Sequence, residues 1–217
     1  MKKFDRLTDL STKEQLILDL YTINAIKFGE FLLKSGITSP YYLDLRVLVS
    51  YPHILELTAD VFWQELRVIN FDVIVGVPYT GIPIATAISL KHTQTMIFVR
   101  KERKEHGTKK LIEGDFHNNQ VAAIVDDVIT NGESKLETIS VLEKEGLVVK
   151  DIVVLIDRLQ GGPELLKRVG YNCHIIYTIE QVFDVLLRYK KISKKIADKC
   201  LAFNKKTRKQ FLQKPKK

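Results

Sequence analysis

Two cysteines, Cys173 and Cys200, are the only thiols in this 217-residue chain, and no CxxC spacing connects them to anything. That scarcity excludes a disulfide framework, and it excludes zinc ribbons and fingers, although His174 adjoins the first cysteine. Long apolar runs are also missing. No stretch of about eighteen apolar residues occurs, so no membrane span is expected, and the start, MKKFDRLTDLSTKEQ, has no apolar core of a signal peptide. A soluble, unprocessed protein of the reducing cytoplasm is the expectation. There is no internal repeat and no GxGxxG fingerprint. Gly76 and Gly81 have the GxxxxG spacing of a nucleotide P-loop, but the Lys and Ser/Thr that should follow are absent, which weakens an NTPase reading.

The net charge of +8 suggests nucleic acid until it is located along the chain. Residues 188–217 hold thirteen Lys or Arg and one acid, Asp198, a net +12 that leaves −4 on the body. This run lacks interleaved stacking aromatics, since Tyr189, Phe203 and Phe211 are widely spaced. A solvated helix fraying into a disordered end is expected there, with no nucleic-acid partner and no membrane. The length suits one well-packed domain with small additions.

Hydrophobic periodicity orders the body. Ser11 to Glu14 matches a capping box, and Leu16, Ile17, Leu20 and Ile23 follow at helical spacing. From Ile26 to Leu45, short extended pieces broken at Gly29, Gly36 and Pro40 suggest a small lid. His53 to Ile69 is helical. Strands at Asp72 to Val75, Thr95 to Val99, Val121 to Val125, Ile152 to Ile156 and His174 to Tyr177 then alternate with helices at Ile82 to Leu90, Glu133 to Glu145, Pro163 to Val169 and Glu180 to Tyr189. Such alternation predicts an α/β fold with a mostly parallel sheet flanked by helices, its ligands at the carboxyl ends of the strands. The segment from Arg100 to Phe116 has no periodicity and much positive charge. It reads either as a solvated surface loop or as a functional loop, hinged at Gly107 and Gly114, that neutralises an anionic leaving group.

The most telling stretch is VAAIVDDVITNGES, from Val121 to Ser134. An apolar strand ends in two acids, a Thr-Asn-Gly turn and the start of a helix. Backbone N–H groups of the turn and the helix dipole suit an anion such as phosphate. Asp126 and Asp127 would be repelled by that anion, so they are expected to face sugar hydroxyls or a divalent cation. The plain alternative is that the acids form Asx-turns in an ordinary strand-turn-helix join.

This stretch resembles the phosphoribosyl pyrophosphate signature of the type I phosphoribosyltransferases. With AIKFGEFLLKSGITSPYYLDLR, GVPYTGIPIATA, RKERKEHGTKKLIEG and VLIDRLQGG it resembles the orotate phosphoribosyltransferases, and it is similar to the corresponding domain of uridine monophosphate synthase. The resemblance runs from about Leu20 to about Tyr189. It implies the type I phosphoribosyltransferase fold over residues 1–189, with a small N-terminal hood at about 20–50 and a flexible catalytic loop at about 100–116, followed by a basic helix and tail at 190–217.

The implied reaction joins orotate to 5-phosphoribosyl 1-pyrophosphate, giving orotidine 5′-monophosphate in pyrimidine biosynthesis. A transferase for another base and a non-catalytic phosphoribosyl-pyrophosphate-binding regulator are the alternatives. Carried over by position, Asp126 and Asp127 hold the ribose, and Thr130, Asn131, Gly132, Glu133 and Ser134 wrap its phosphate. Glu133 departs from the family's small residues, suiting the helix dipole if it points outward and repelling phosphate if inward. Lys27, Tyr41 and Tyr42 contact ligand in the hood, although one tyrosine can equally be a packing residue. Arg158 recognises orotate, whose carboxylate matches a guanidinium fork; otherwise it is an ordinary charge at a strand end. Tyr79, Thr80, Arg100, Lys101, Lys104 and His106 lie on the pyrophosphate side, with Lys104 and His106 closest to the chemistry. Thr80 stands where many relatives have Lys. Mg²⁺ is expected, held mainly by the phosphoribosyl pyrophosphate. A homodimer with shared active sites is the expected assembly, and whether a separate orotidine monophosphate decarboxylase docks on the basic tail is left open.

Overall fold

The structure, a computed structural model, describes residues 11–33, 36–100 and 111–213, with side chains as far as residue 208. Ser11 Oγ accepts from Glu14 N–H at 3.2 Å and starts α1 (Thr12–Thr22), which buries Leu16, Ile17 and Leu20. Strands β1 (Ile26–Leu32) and β2 (Thr38–Leu43) pair antiparallel as a separate two-stranded sheet, with Lys27 opposite Tyr42 and Phe28 opposite Tyr41. A 3-10 turn, Leu45–Ser50, leads to α2 (Pro52–Leu66).

The main sheet has six strands in the order β5-β4-β3-β6-β7-β8. They are β3 (Val73–Gly76), β4 (Met96–Val99), β5 (Ile112–Glu113), β6 (Val121–Ile129), β7 (Val148–Asp157) and β8 (Asn172–Thr178). All neighbours are parallel except β5, which runs antiparallel to β4. The connecting helices are α3 (Gly81–His92), α4 (Glu133–Lys144), α5 (Gly162–Arg168) and α6 (Ile179–Arg188). A continuous apolar strand still alternates, and here the two sets serve two cores. Ile74, Ala123, Val125, Val153 and Leu155 face α1, α2, α3 and α6, whereas Val73, Val75, Ala122, Ile124, Ile152 and Val154 face α4 and α5.

Three expectations change. β6 does not stop at Val125, because the ten-residue β7 keeps pairing with it: Asp126 lies opposite Val154 and Ile129 opposite Asp157. The two acids therefore belong to the strand and alternate across it. Residues 100–116 are not all loop, since Ile112 and Glu113 form β5. Nor is the basic end a solvated appendage. In α7 (Lys194–Gln213), Ala197, Cys200, Asn204 and Thr207 form a buried stripe at helical spacing, while Lys195, Lys199, Lys205 and Lys206 are exposed. Among the described residues no helix is long and apolar enough to cross a membrane.

Candidate active site

Strand order reverses between β3 and β6, and the crevice at their carboxyl ends is where a doubly wound sheet binds ligands. On one side β3 runs through Val77 and a cis Pro78–Tyr79 peptide into α3. Gly81 opens that helix against β6, so closely that a Cβ there would lie 2.5 Å from the Val125 carbonyl oxygen. On the other side β6 runs through Thr130 and Asn131 to Gly132, whose φ of +85° is a left-handed conformation that favours glycine. Asn131 Oδ1 accepts from Glu133 N–H at 3.3 Å, and α4 begins there. This turn presents a helix N-terminus to the crevice, with Ser134 exposed beside it. Glu133 is also exposed, where its charge suits the dipole.

The two acids are not equivalent, which corrects the expectation that both face a ligand. Asp127 is half-buried and its Oδ1 accepts from Val128 N–H at 2.7 Å. Asp126 points inward and is 5% exposed, its Oδ1 accepting from Asp127 N–H and its Oδ2 paired with Lys135 Nζ at 2.5 Å. Lys135 is itself 4% exposed and also donates to the Val128 carbonyl at 2.6 Å. Burial pushes the Asp126 carboxyl well up, and the lysine charge pulls it back down. The sequence reading missed Lys135. The available signal was its place on the buried stripe of α4 with Thr138, Ile139 and Leu142, where a lysine needs an acid.

Arg158 follows β7, and its backbone N–H bonds to the Ile129 carbonyl, tying it to the phosphate-type turn. Its Nε donates to Tyr41 Oη at 3.1 Å and its Cζ lies 4.9 Å from the centre of the Tyr41 ring. Its Nη2 is buried and has no hydrogen-bond partner among the described residues. Tyr41 is fully buried, so the expectation that it contacts ligand gives way to a packing role: β2 turns it inward and its neighbour Tyr42 outward. Tyr42 stacks on Phe31 with ring centres 5.5 Å apart and accepts from Arg46 Nη2 at 3.3 Å. Lys27 lies beside Asp44 at 4.0 Å.

Pro78, Tyr79, Ile82, Phe98, Val99, Arg100 and Glu113 line a cleft of about 540 Å³ at the ends of β3 and β4. Arg100 pairs there with Glu113 at 2.7 Å, a partner not foreseen. Thr80 is buried, and it lines a neighbouring apolar groove instead. Lys101, Lys104 and His106 lie outside the described residues. No group of three or more His, Cys, Asp or Glu side chains fit to hold a metal occurs among the described residues.

The family described as Phosphoribosyl transferase domain matches residues 48–189. Uridine 5′-monophosphate synthase of Bos taurus is 44% identical over 190 residues, covering 87% of this chain and 40% of the relative. Orotate phosphoribosyltransferase of Chlamydia caviae is 37% identical over 177 residues, covering 81% of this chain and 86% of the relative. Among solved structures, Leishmania donovani UMP synthase superposes with a TM-score of 0.84 at 35% identity, covering 90% of this chain and 43% of that one. The chain thus spans about two fifths of the synthases and most of the length of the shorter relative. A strand-turn-helix join at the switch point, an arginine held beside it and these likenesses agree: the chain belongs to the phosphoribosyl transferase family, among the orotate phosphoribosyltransferases.

Proposed function

We propose that the protein transfers the phosphoribosyl group of 5-phosphoribosyl 1-pyrophosphate to N1 of orotate, releasing orotidine 5′-monophosphate and pyrophosphate. One observation carries the choice of base. A guanidinium with Nε fixed by Tyr41 and a buried, unpartnered Nη2 is a group short of a partner, and a carboxylate supplies one through charge-assisted hydrogen bonds. Orotate is the pyrimidine base distinguished by a carboxylate. Tyr42, turned outward on the hood, offers a face for its ring.

Breaking the C1–O bond builds positive charge on the ribose and negative charge on the pyrophosphate. The turn at 130–134 anchors the 5-phosphate, and Asp127 holds the ribose hydroxyls with Asp126 behind it. Arg100, Lys101, Lys104 and His106 neutralise the leaving group, with Lys104 or His106 donating a proton. Mg²⁺ bound to the pyrophosphate would spread that same charge. The donors here fit an ion carried in by the substrate, since Asp126 is already taken by Lys135 and Asp127 is the carboxylate left open.

The same reading includes a cytoplasmic homodimer. Its support is an apolar groove of about 620 Å³ lined by Val49, Leu55, Tyr79, Ile82, Pro83 and Leu90, of which Leu90 is 81% exposed and Val49 59%. The product would pass to a decarboxylase, the class of enzyme that removes the carboxylate held by Arg158.

The test follows loss of orotate absorbance in the presence of Mg²⁺ and phosphoribosyl pyrophosphate, with uracil, adenine and hypoxanthine as competing acceptors. Orotate is consumed in preference to all three, and Arg158→Leu raises the orotate KM roughly a hundredfold. Preference for a purine, or an unchanged KM in Arg158→Leu, would end the proposal.

A further inference from the structure

We infer that Asn204, on the C-terminal helix α7, is a positioning residue for base recognition, acting through Tyr41 on the guanidinium of Arg158. The inference deepens the orotate reading and rests on it for its substrate, although the geometry stands by itself.

The Tyr41 hydroxyl has one proton to give. It donates to Asn204 Oδ1 at 2.8 Å, which leaves its oxygen lone pairs facing Arg158 Nε, from which it accepts at 3.1 Å. The chain Arg158 to Tyr41 to Asn204 therefore has a fixed direction, and it is buried throughout: Tyr41 is 0% exposed and Asn204 2%. Both ring neighbours of Tyr41 at edge-to-face angles come from C-terminal helices, Phe183 of α6 with centres 5.1 Å apart and Phe203 of α7 at 6.2 Å. The ring is thereby held in place, with its hydroxyl oxygen between Arg158 and Asn204.

Capturing Nε has a geometric result. It removes one edge of the guanidinium from ligand binding and leaves the Nη1–Nη2 fork, of which Nη2 is buried without a partner. Without Asn204 the Tyr41 proton has no acceptor, and it competes with Arg158 for the same space between the two side chains.

α7 also holds the loop that carries Arg158. Gln160 Nε2 donates to Thr207 Oγ1 at 3.3 Å, and Arg208 Nη2 pairs with Glu164 of α5 at 2.8 Å. Residues 204, 207 and 208 lie on one helical face, so the helix grips the arginine from the side and its loop from behind. The loop also meets the turn at 130–134, where Gly162 N–H donates to the Thr130 carbonyl at 2.9 Å, but that contact is made by backbone and not by Asn204, so a loss at Asn204 weakens binding of the base more than that of the sugar phosphate.

Two arms test this on the full-length chain. In the first, side-chain ¹⁵N spectra follow exchange of the Arg158 Nε–H with water, assigned by its disappearance in Arg158→Lys. Exchange is slow in the wild type and at least roughly tenfold faster in Asn204→Leu and Tyr41→Phe. Thr207→Val, which leaves the chain of bonds intact, serves as the control for helix docking and keeps the slow rate. In the second arm, Asn204→Leu and Tyr41→Phe each raise the orotate KM roughly tenfold, with the phosphoribosyl pyrophosphate KM and kcat within about twofold, and the double variant is no worse than either.

Unchanged exchange in Asn204→Leu, an additive double variant, or equal rises in both KM values would overturn the inference. A wild type that consumes no orotate but shows the predicted exchange pattern would instead sink the orotate reading and leave the positioning role in place.

Discussion

Replacing Lys135 by Met separates the electrostatic role of this lysine from its bulk. Met has a similar stem and no charge, so the change removes the ion pair to Asp126 Oδ2 and the hydrogen bond to the Val128 carbonyl and little packing. Both partners are about 95% buried, and removing one member of such a pair costs roughly 3–5 kcal/mol because the other charge is left alone. The carboxyl has an escape: it can stay protonated. Burial already raises it, and Lys135 is the group that lowers it, so loss of the lysine raises it further.

The sign follows from linkage. At low pH the carboxyl is neutral in both proteins and the wild type's buried Lys135 loses its counter-ion, which offsets the lost Val128 hydrogen bond, so the deficit shrinks towards zero. As pH rises through the wild-type carboxyl's range, the wild type ionises against Lys135 and the variant does not, so the deficit grows. Urea unfolding of both proteins from about pH 5 to about pH 8.5 measures it. Asp126→Asn in the Lys135→Met background recovers most of the loss at the upper end. A deficit of the same size at both ends, or no recovery in the double variant, would refute the reasoning.

Gly81→Ala places a methyl 2.5 Å from the Val125 carbonyl, and a backbone neighbour cannot move aside cheaply; a loss of about 1–3 kcal/mol in urea unfolding is expected, and an unchanged midpoint would contradict the contact. Burial raises the Asp157 carboxyl to about 6, so the folded chain holds this proton more tightly than the unfolded one. Its contribution is complete below about pH 4 and is lost as pH rises through about 6, a change of about 3 kcal/mol. Asp157→Asn keeps the acceptor for Leu159 N–H and flattens that part of the stability profile, which urea titrations across the window read directly. If the proposed homodimer forms through the exposed apolar groove, Leu90→Glu puts a charge into it and shifts the sedimenting species to monomer, whereas an unaltered dimer would place the interface elsewhere.

The alternation of strands and helices was legible because each buried strand is a short apolar run closed by glycine, a charged residue or a helix start. The turn at Gly132 was legible because its glycine, dipole and neighbouring acids act locally. What escaped the sequence depends on partners distant along the chain. The apolar run stops at Val125, yet pairing with β7 carries the strand through Asp126 and Asp127 and sends them to opposite sides. Two adjacent tyrosines must part on a strand, but only the position of β2 over α6 and α7 decides that Tyr41 goes in. In α7 the density of lysine hides a stripe whose polar members, Asn204 and Thr207, each accept a hydrogen bond from a residue more than 40 positions away.

The Tyr41–Asn204 hydrogen bond spans 163 residues and the Arg158–Tyr41 bond 117, whereas the turn at 130–134 is braced by Gly162 N–H on the Thr130 carbonyl, from the loop just after β7. Chains are made from the N-terminus and long-range contacts close late. The sheet and its phosphate turn can therefore assemble while Arg158 still lacks its brace from α7. On the proposed function, the element that would discriminate between bases is the one braced from the far end of the chain, whereas the turn proposed for the sugar phosphate is not.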